Sequence, residues 1–283
     1  MSQALRWLGI SWLALSVAAC APLDGSDPDV DDAEESEDAL DEAVSDSWSD
    51  GPGFGIRFRR ANENADVAIF YGGYGATLAA SQSWADETFA EDLEARGFGV
   101  LYAVKGPLHA DYRDWEIGNS KIAKRLIGEE GAKATRILVI AHSSGAFVAH
   151  ELFTQLADGR DVDGVTAGKI TYFNLDGAGG PPGKALQRLS AAWAVSVRDA
   201  NGVRSMNAST ADLNASNYAA AGKGGLHELS AAPGVCASGA KWCLHMVTTN
   251  ERPHNKWGLD VARDYTDFEG HPVQLGFLSR LTD

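Results

Sequence analysis

The sequence predicts an α/β protein with a mostly parallel central sheet and helices on both faces. Three observations carry that expectation. From residue 54 onward, short β-rich runs alternate with helical stretches, as in chains that wind back and forth across a sheet. Most of these runs are continuously apolar rather than alternating, which is the habit of strands buried on both faces. No internal repeat or second domain boundary interrupts them, and about 230 residues are ample for one sizeable core. With 31 Gly, 8 Trp and 45% hydrophobic residues, the 283-residue chain is neither a coiled coil nor wholly disordered.

The first fifty residues read as an address and a tether. Met1–Arg6 holds one basic side chain, and Trp7–Val17 is an uninterrupted apolar run. That run is short for a bilayer span but suits the core of a secretory signal. It ends in Val17-Ala18-Ala19-Cys20, which resembles the lipobox of bacterial lipoproteins. The resemblance implies cleavage before Cys20, acylation of Cys20 and, with Ala21 rather than Asp next, sorting to the outer membrane or cell surface. Residues 21–50 hold 13 of the 39 acidic side chains and no basic one. Like-charge repulsion and few apolar groups make 21–53 an expected acidic, disordered tether. Asp27, Asp29 and Asp31 alternate, but no Gly at the sixth place and no Glu at the twelfth complete a calcium loop. Residues 51–283 carry 23 basic and 26 acidic side chains, close to neutrality, so no basic stripe argues for nucleic acid. The expected organisation is a signal at 1–20, a tether at 21–53 and one domain at 54–283.

Within that domain the elements follow in order. Phe54–Arg60 alternates apolar and basic residues, as an edge or antiparallel strand does. Val67–Tyr71 is the first continuous apolar strand. Ser83–Arg96 places Ala85, Phe89 and Leu93 on one helical face and closes at Gly97. Phe98–Val104 is the next strand, Asn119–Glu129 a helix, Arg136–Ala141 a strand and Ser144–Ala157 a helix. Ile170–Leu175, Ala192–Val197 and Trp242–Thr248 complete the strands, the last of them closing the sheet.

One junction carries chemistry. The strand Arg136–Ala141 runs into His142-Ser143-Ser144-Gly145-Ala146, and an apolar helix follows at once. Small residues two places either side of Ser143 relieve the crowding of a very tight turn. A serine capping an ordinary helix, with a packing glycine, is the simpler alternative. The strand–turn–helix setting resembles the nucleophile elbow of the α/β-hydrolase superfamily, with Ala141 in place of the usual first glycine. The resemblance implies the α/β-hydrolase fold and a serine hydrolase working through an acyl-enzyme, without cofactor or metal. It makes Ser143 the nucleophile, leaves the His142 side chain pointing away from it, and makes the Ser144 N–H one oxyanion donor. The second donor is expected in Tyr71-Gly72-Gly73-Tyr74-Gly75, from Gly73 or Tyr74, because a turn without side chains lets a backbone N–H approach the substrate.

The superfamily order of Ser, acid, then His can be filled here. His254, in the loop after Trp242–Thr248, is the expected base, with His245 inside that strand as the alternative. The acid is Asp176, which ends Ile170–Leu175 in a Leu-Asp-Gly-Ala arrangement similar to the pancreatic-type lipases, or Asp199 at the end of the next strand. Asp199 also fits the first place of a type I turn closed by Gly202. Cys236 and Cys243 are close enough in an exported chain to form a disulfide, and four zinc ligands with proper spacing are not evident. The expected partners are a small-molecule or lipid ester and the membrane that holds the N-terminal lipid. The rival expectation is a surface lipoprotein that uses this fold as an interaction scaffold without catalysis.

Overall fold

The computed structural model describes residues 44–49, 54–108, 112–175, 177, 183–199, 227–229 and 242–249. Its strands are β1 (Val44–Ser49), β2 (Gly55–Arg60), β3 (Asp66–Tyr71), β4 (Phe98–Val104), β5 (Ile137–His142), β6 (Ile170–Leu175), β7 (Ala191–Asp199), β8 (His227–Leu229) and β9 (Trp242–Thr249). They form one sheet in the order β1-β2-β4-β3-β5-β6-β7-β9-β8. Among the described residues, only the β1–β2 and β2–β4 pairings are antiparallel; β3 to β9 run parallel. The helices are α1 (Leu78–Ala85), α2 (Glu91–Ala95), α3 (Tyr112–Ile127), α4 (Glu129–Lys133), α5 (Gly145–Gln155) and α6 (Gly183–Arg188).

The apolar runs are continuous because both faces are covered. Val67, Ile69 and Tyr71 of β3 share a cluster with Ile122, Ala123 and Leu126 of α3 and Val148, Leu152 and Phe153 of α5. The intervening Ala68 and Phe70 join Ala85, Phe89 and Leu93 on the other side. These last three are the face read from Ser83–Arg96, here spread over α1, a π-helical turn at Asp86–Ala90, and α2. The run ends as expected at Gly97, whose φ of +84° suits glycine.

Three differences from the sequence reading stand out. The sheet begins ten residues early: β1 falls in the stretch expected to be tether, pairing from Val44 opposite Arg60 to Ser49 opposite Gly55. Its composition hid it, since Ser-Asp-Ser-Trp-Ser lacks an apolar face, and a polar strand is what a sheet margin tolerates. In consequence β2 is antiparallel, as expected, but is not the edge. At the other margin β8 lies outside β9, so the last strand of the sequence reading is not the outermost. The third, α6, is too short for helical periodicity to reveal.

Beneath β3 and β5, Asp66 ties the two strands together at their N-terminal ends. Its Oδ1 accepts from the Thr135 N–H (2.8 Å), the Thr135 hydroxyl (2.9 Å) and the Arg136 N–H (3.0 Å), and its Oδ2 from Arg136 Nε (2.8 Å). Burial alone would raise the carboxyl pKa, but these bonds together outweigh it and hold the group below its ordinary 3.8. A depressed acid stabilises the fold fully above that ordinary value and ceases to do so as pH falls through its folded value. Asp66→Ala is expected to cost about 2–4 kcal/mol, because it strands buried donors and the Arg136 charge. Urea unfolding at pH 7 checks this, and the wild-type advantage should shrink below about pH 3.8.

Candidate active site

At the C-terminal end of β5 the chain turns sharply into α5. Ser143 sits in that turn with φ +49°, the one non-glycine residue of positive φ among those described. Such a backbone is strained for a residue with a Cβ, and the surroundings must hold it. Several contacts do. The Ser143 N–H donates to the Leu175 carbonyl at the end of β6 (3.2 Å), and the Ser143 carbonyl accepts from Ala146 (3.1 Å). A Cβ on Gly145 would run into the carbonyl oxygens of Tyr71 and Gly72, so the small residue after the serine is a packing necessity. Ser144 occupies the N-cap position of α5, yet its side chain makes no capping hydrogen bond. Helix capping therefore does not explain the serine pair. The eleven-residue α5 begins beside Ser143, and the partial positive charge of its N-terminus favours negative charge there.

The glycine turn after β3 lies directly opposite. A Cβ built on Gly73 would stand 3.4 Å from the Ser143 Cβ and 2.9 Å from His142 Nδ1. The turn is laced to its neighbours: Gly72 N–H to Val104 O (3.1 Å), Ala76 N–H to Gly73 O (3.1 Å), Gly75 N–H to Pro107 O (3.0 Å) and Gly106 N–H to Ala76 O (2.9 Å). Among the described residues, neither the Gly73 nor the Ser144 N–H has an acceptor. Gly73 and Ser144, the residues expected to supply the donors, thus stand next to Ser143, one across the turn and one along the chain. Between the two residues expected for the second donor, proximity to Ser143 favours Gly73. Tyr74 is about half exposed. The His142 ring, expected to point away from Ser143, packs on Gly73 at the edge of the site.

Residues that sequence reasoning missed hold this geometry from below. The fully buried Tyr71 hydroxyl donates to Asn119 Oδ1 (2.8 Å), and Asn119 Nδ2 donates to the Val148 carbonyl (2.6 Å). One amide side chain therefore connects the strand before the glycine turn, helix α3 and the helix after the serine. Burial pushes the Tyr71 pKa far above its ordinary 10, so it stays a neutral donor. The only sequence signal was a polar residue on the apolar face of a helix. Within α5, His150 Nε2 pairs with the Tyr172 hydroxyl of β6 at 3.0 Å. Burial lowers the His150 pKa from 6.5 to about 3. The unfolded chain then takes up a proton that the fold refuses, so stability falls as pH drops from 6.5 toward 3. Thermal melts of His150→Gln between pH 7.5 and 4 should show a flatter pH profile than wild type. Parallel profiles would contradict this.

The remaining expected residues are placed unevenly. Asp176 lies outside the described residues, but its neighbours are clear. Leu175 accepts from Ser143, and Gly177 N–H donates to Asn174 Oδ1 (2.6 Å). A Cβ on Gly177 would meet both Asn174 Oδ1 and Ala146. Asp199 ends β7, opposite Thr249 and four residues past Val195, which pairs with Leu175. His245 lies in β9 opposite Val195, in the same row as Leu175 and His142. That row puts its backbone three strand spacings, about 14 Å, from β5, farther than an imidazole spans. Cys243 is in β9. Cys20, Cys236 and His254 lie outside the described residues. Among the described residues, no three His, Cys, Asp or Glu side chains gather as a metal site.

No family model and no curated protein matches the chain. Solved structures do. Carboxyl esterase 2 from the mycorrhizal fungus Tuber melanosporum is similar with a TM-score of 0.51 at 10% identity, over 86% of this chain and 89% of that one. A protein assigned as a carboxylesterase from Lactobacillus plantarum is similar with a TM-score of 0.50 at 10% identity, over 84% and 98%. At such identity the likeness speaks for the architecture: a mostly parallel sheet flanked by helices, the α/β-hydrolase fold.

Proposed function

We propose that this chain is a serine hydrolase that cleaves carboxylic esters through an acyl-enzyme. The observation that carries the reading is Ser143: a serine at φ +49°, at the head of α5, with the uncommitted N–H groups of Gly73 and Ser144 beside it. A strained serine between two free backbone donors fits attack on a carbonyl and stabilisation of the resulting oxyanion. In this reading Ser143 Oγ attacks, His254 takes its proton and returns it to the leaving alcohol, and Asp176 orients the imidazole. Water then repeats the sequence on the acyl-enzyme. His254 is supported by its place in the chain just after β9, and the row of β9 carries the alternative His245 away from β5. Asp176 is supported by its place in the chain directly after Leu175, whose carbonyl accepts from the Ser143 N–H. The half-exposed Tyr74 and Phe147, one residue past Gly73 and four past Ser143, give the approach an apolar border suited to esters of the esterase or lipase type. The carboxylesterase names of the two structural neighbours agree with that chemistry.

The N-terminal pattern adds export and acylation at Cys20, with the acidic segment as the link between lipid and enzyme and a Cys236–Cys243 disulfide near the base. Labelling of the de-lipidated protein with a fluorophosphonate tests the central claim. Wild type and Ser144→Ala should label, and Ser143→Ala should not. A folded wild type that does not label would favour the non-catalytic scaffold.

A further inference from the structure

We infer that Asn119 is a positioning residue for the oxyanion site, a brace that fixes where Gly73 and Ser144 stand relative to each other. The inference rests on the hydrolase reading above, in which those two residues supply the oxyanion donors. Asn119 lies in α3, is fully buried, and holds one residue from each of the two segments that carry them. On one side Tyr71, the last residue of β3 and two before Gly73, donates its hydroxyl to Asn119 Oδ1 (2.8 Å). On the other, Asn119 Nδ2 donates to the carbonyl of Val148 (2.6 Å), about one helical turn past Ser144 in α5. Tyr71, Asn119 and Val148 are all fully buried, so water has no access to replace a lost partner.

Packing alone gives no reason for an amide here, since Ile122, Ala123 and Leu126 further along α3 all join the apolar cluster. The chemistry of the amide supplies one. A backbone carbonyl only accepts, so the Asn119 NH2 has to face Val148 and its oxygen has to face Tyr71. A buried polar link satisfied at both ends admits a single arrangement of the elements it joins. A second contact between the same segments lies nearer the site. Gly145, the first residue of α5, packs so closely on the Tyr71 and Gly72 carbonyl oxygens that a Cβ would collide with both. That contact sets how near α5 comes to the glycine turn. The Asn119 brace, attached three residues or about 4.5 Å further along the helix, sets the angle between them. Two N–H groups stabilise an oxyanion fully only when both are aimed at the one position it occupies. An error in that aim falls on the transition state more than on the bound ester, so it acts on kcat and leaves KM alone.

The test uses the full-length protein and p-nitrophenyl esters, with a boronic acid as a probe that forms a tetrahedral anionic adduct on serine. Labelling with a fluorophosphonate to completion counts the competent serines, and kcat is taken per labelled site. Tyr71→Phe, which removes a single oxygen, is expected to lose about threefold to tenfold in kcat at the wild-type KM. Asn119→Leu removes both bonds and should lose about tenfold to a hundredfold, less than removal of a direct donor. Boronate affinity should fall by the same factor as kcat in each variant. Because the two side chains form one brace, the double variant should lose no more than Asn119→Leu alone. Should Asn119→Leu fail to accumulate, Tyr71→Phe is read by the same two ratios. A lower melting temperature with wild-type kcat per labelled site and wild-type boronate affinity would overturn the inference, for that is a merely structural role. So would kcat and KM changing together, or single losses that multiply in the double variant. Failure of the wild type itself to label would remove the hydrolase reading and this inference together. A labelled wild type with an unaltered Tyr71→Phe removes the inference alone.

Discussion

Ser143→Ala is expected to reduce turnover of p-nitrophenyl esters by about 10⁴-fold or more, to the level left by binding and the oxyanion donors alone. The size follows from the role. Removing a nucleophile eliminates the covalent route, while the Gly73 and Ser144 N–H groups survive the substitution. Alanine keeps the Cβ that the +49° backbone already accommodates, so the melting temperature should stay within a few degrees of wild type. Ser144→Ala is the matching control. Its side chain caps nothing in the structure, and the N–H it contributes belongs to the backbone, so the variant should keep most of its activity. Steady-state rates on both variants decide the matter. Substantial turnover in Ser143→Ala would remove this serine from the chemistry.

His254→Ala should lose activity on the same scale as Ser143→Ala, because a serine hydroxyl without its base is a poor nucleophile. His245→Ala should lose far less, given a backbone three strands from β5. The ratio of the two variants is the informative quantity. If His245→Ala were the dead enzyme, the base would lie in β9, and the register that separates it from Ser143 would have to be wrong. The same assay separates the acids. Asp176→Asn should fall by about 10²-fold or more while Asp199→Asn stays near wild type, since the orienting carboxylate is worth a large part of the triad.

Much of this protein was legible in its sequence. Seven runs marked as strands are strands in the structure, most within a residue or two of the expected bounds, because a strand buried on both faces must be apolar along its whole length. The serine turn was legible for a related reason. Only small residues fit around a serine in that backbone, and Gly145 against the Tyr71 and Gly72 carbonyls shows the steric demand directly. The margins were not legible. In β1 the polar residues satisfy a strand at the edge of a sheet and a solvated tether equally well, so composition cannot tell them apart.

What the sequence determined by itself is the part governed by local rules: apolar periodicity, a helix that stops at Gly97, a glycine turn, and small residues bracketing Ser143. What only the tertiary structure decided is every pairing between distant segments. Asn119 linking Tyr71 to Val148, Ser81 filling the space left by Gly72, Asp66 clasping Thr135 and Arg136, and the row that carries His245 away from β5 all depend on strand order and register. A polar side chain in a sequence carries no sign of which partner it will meet. That partner is chosen by the sheet, whose order β4-β3-β5-β6 brings together residues up to seventy positions apart and excludes the water that would otherwise satisfy them.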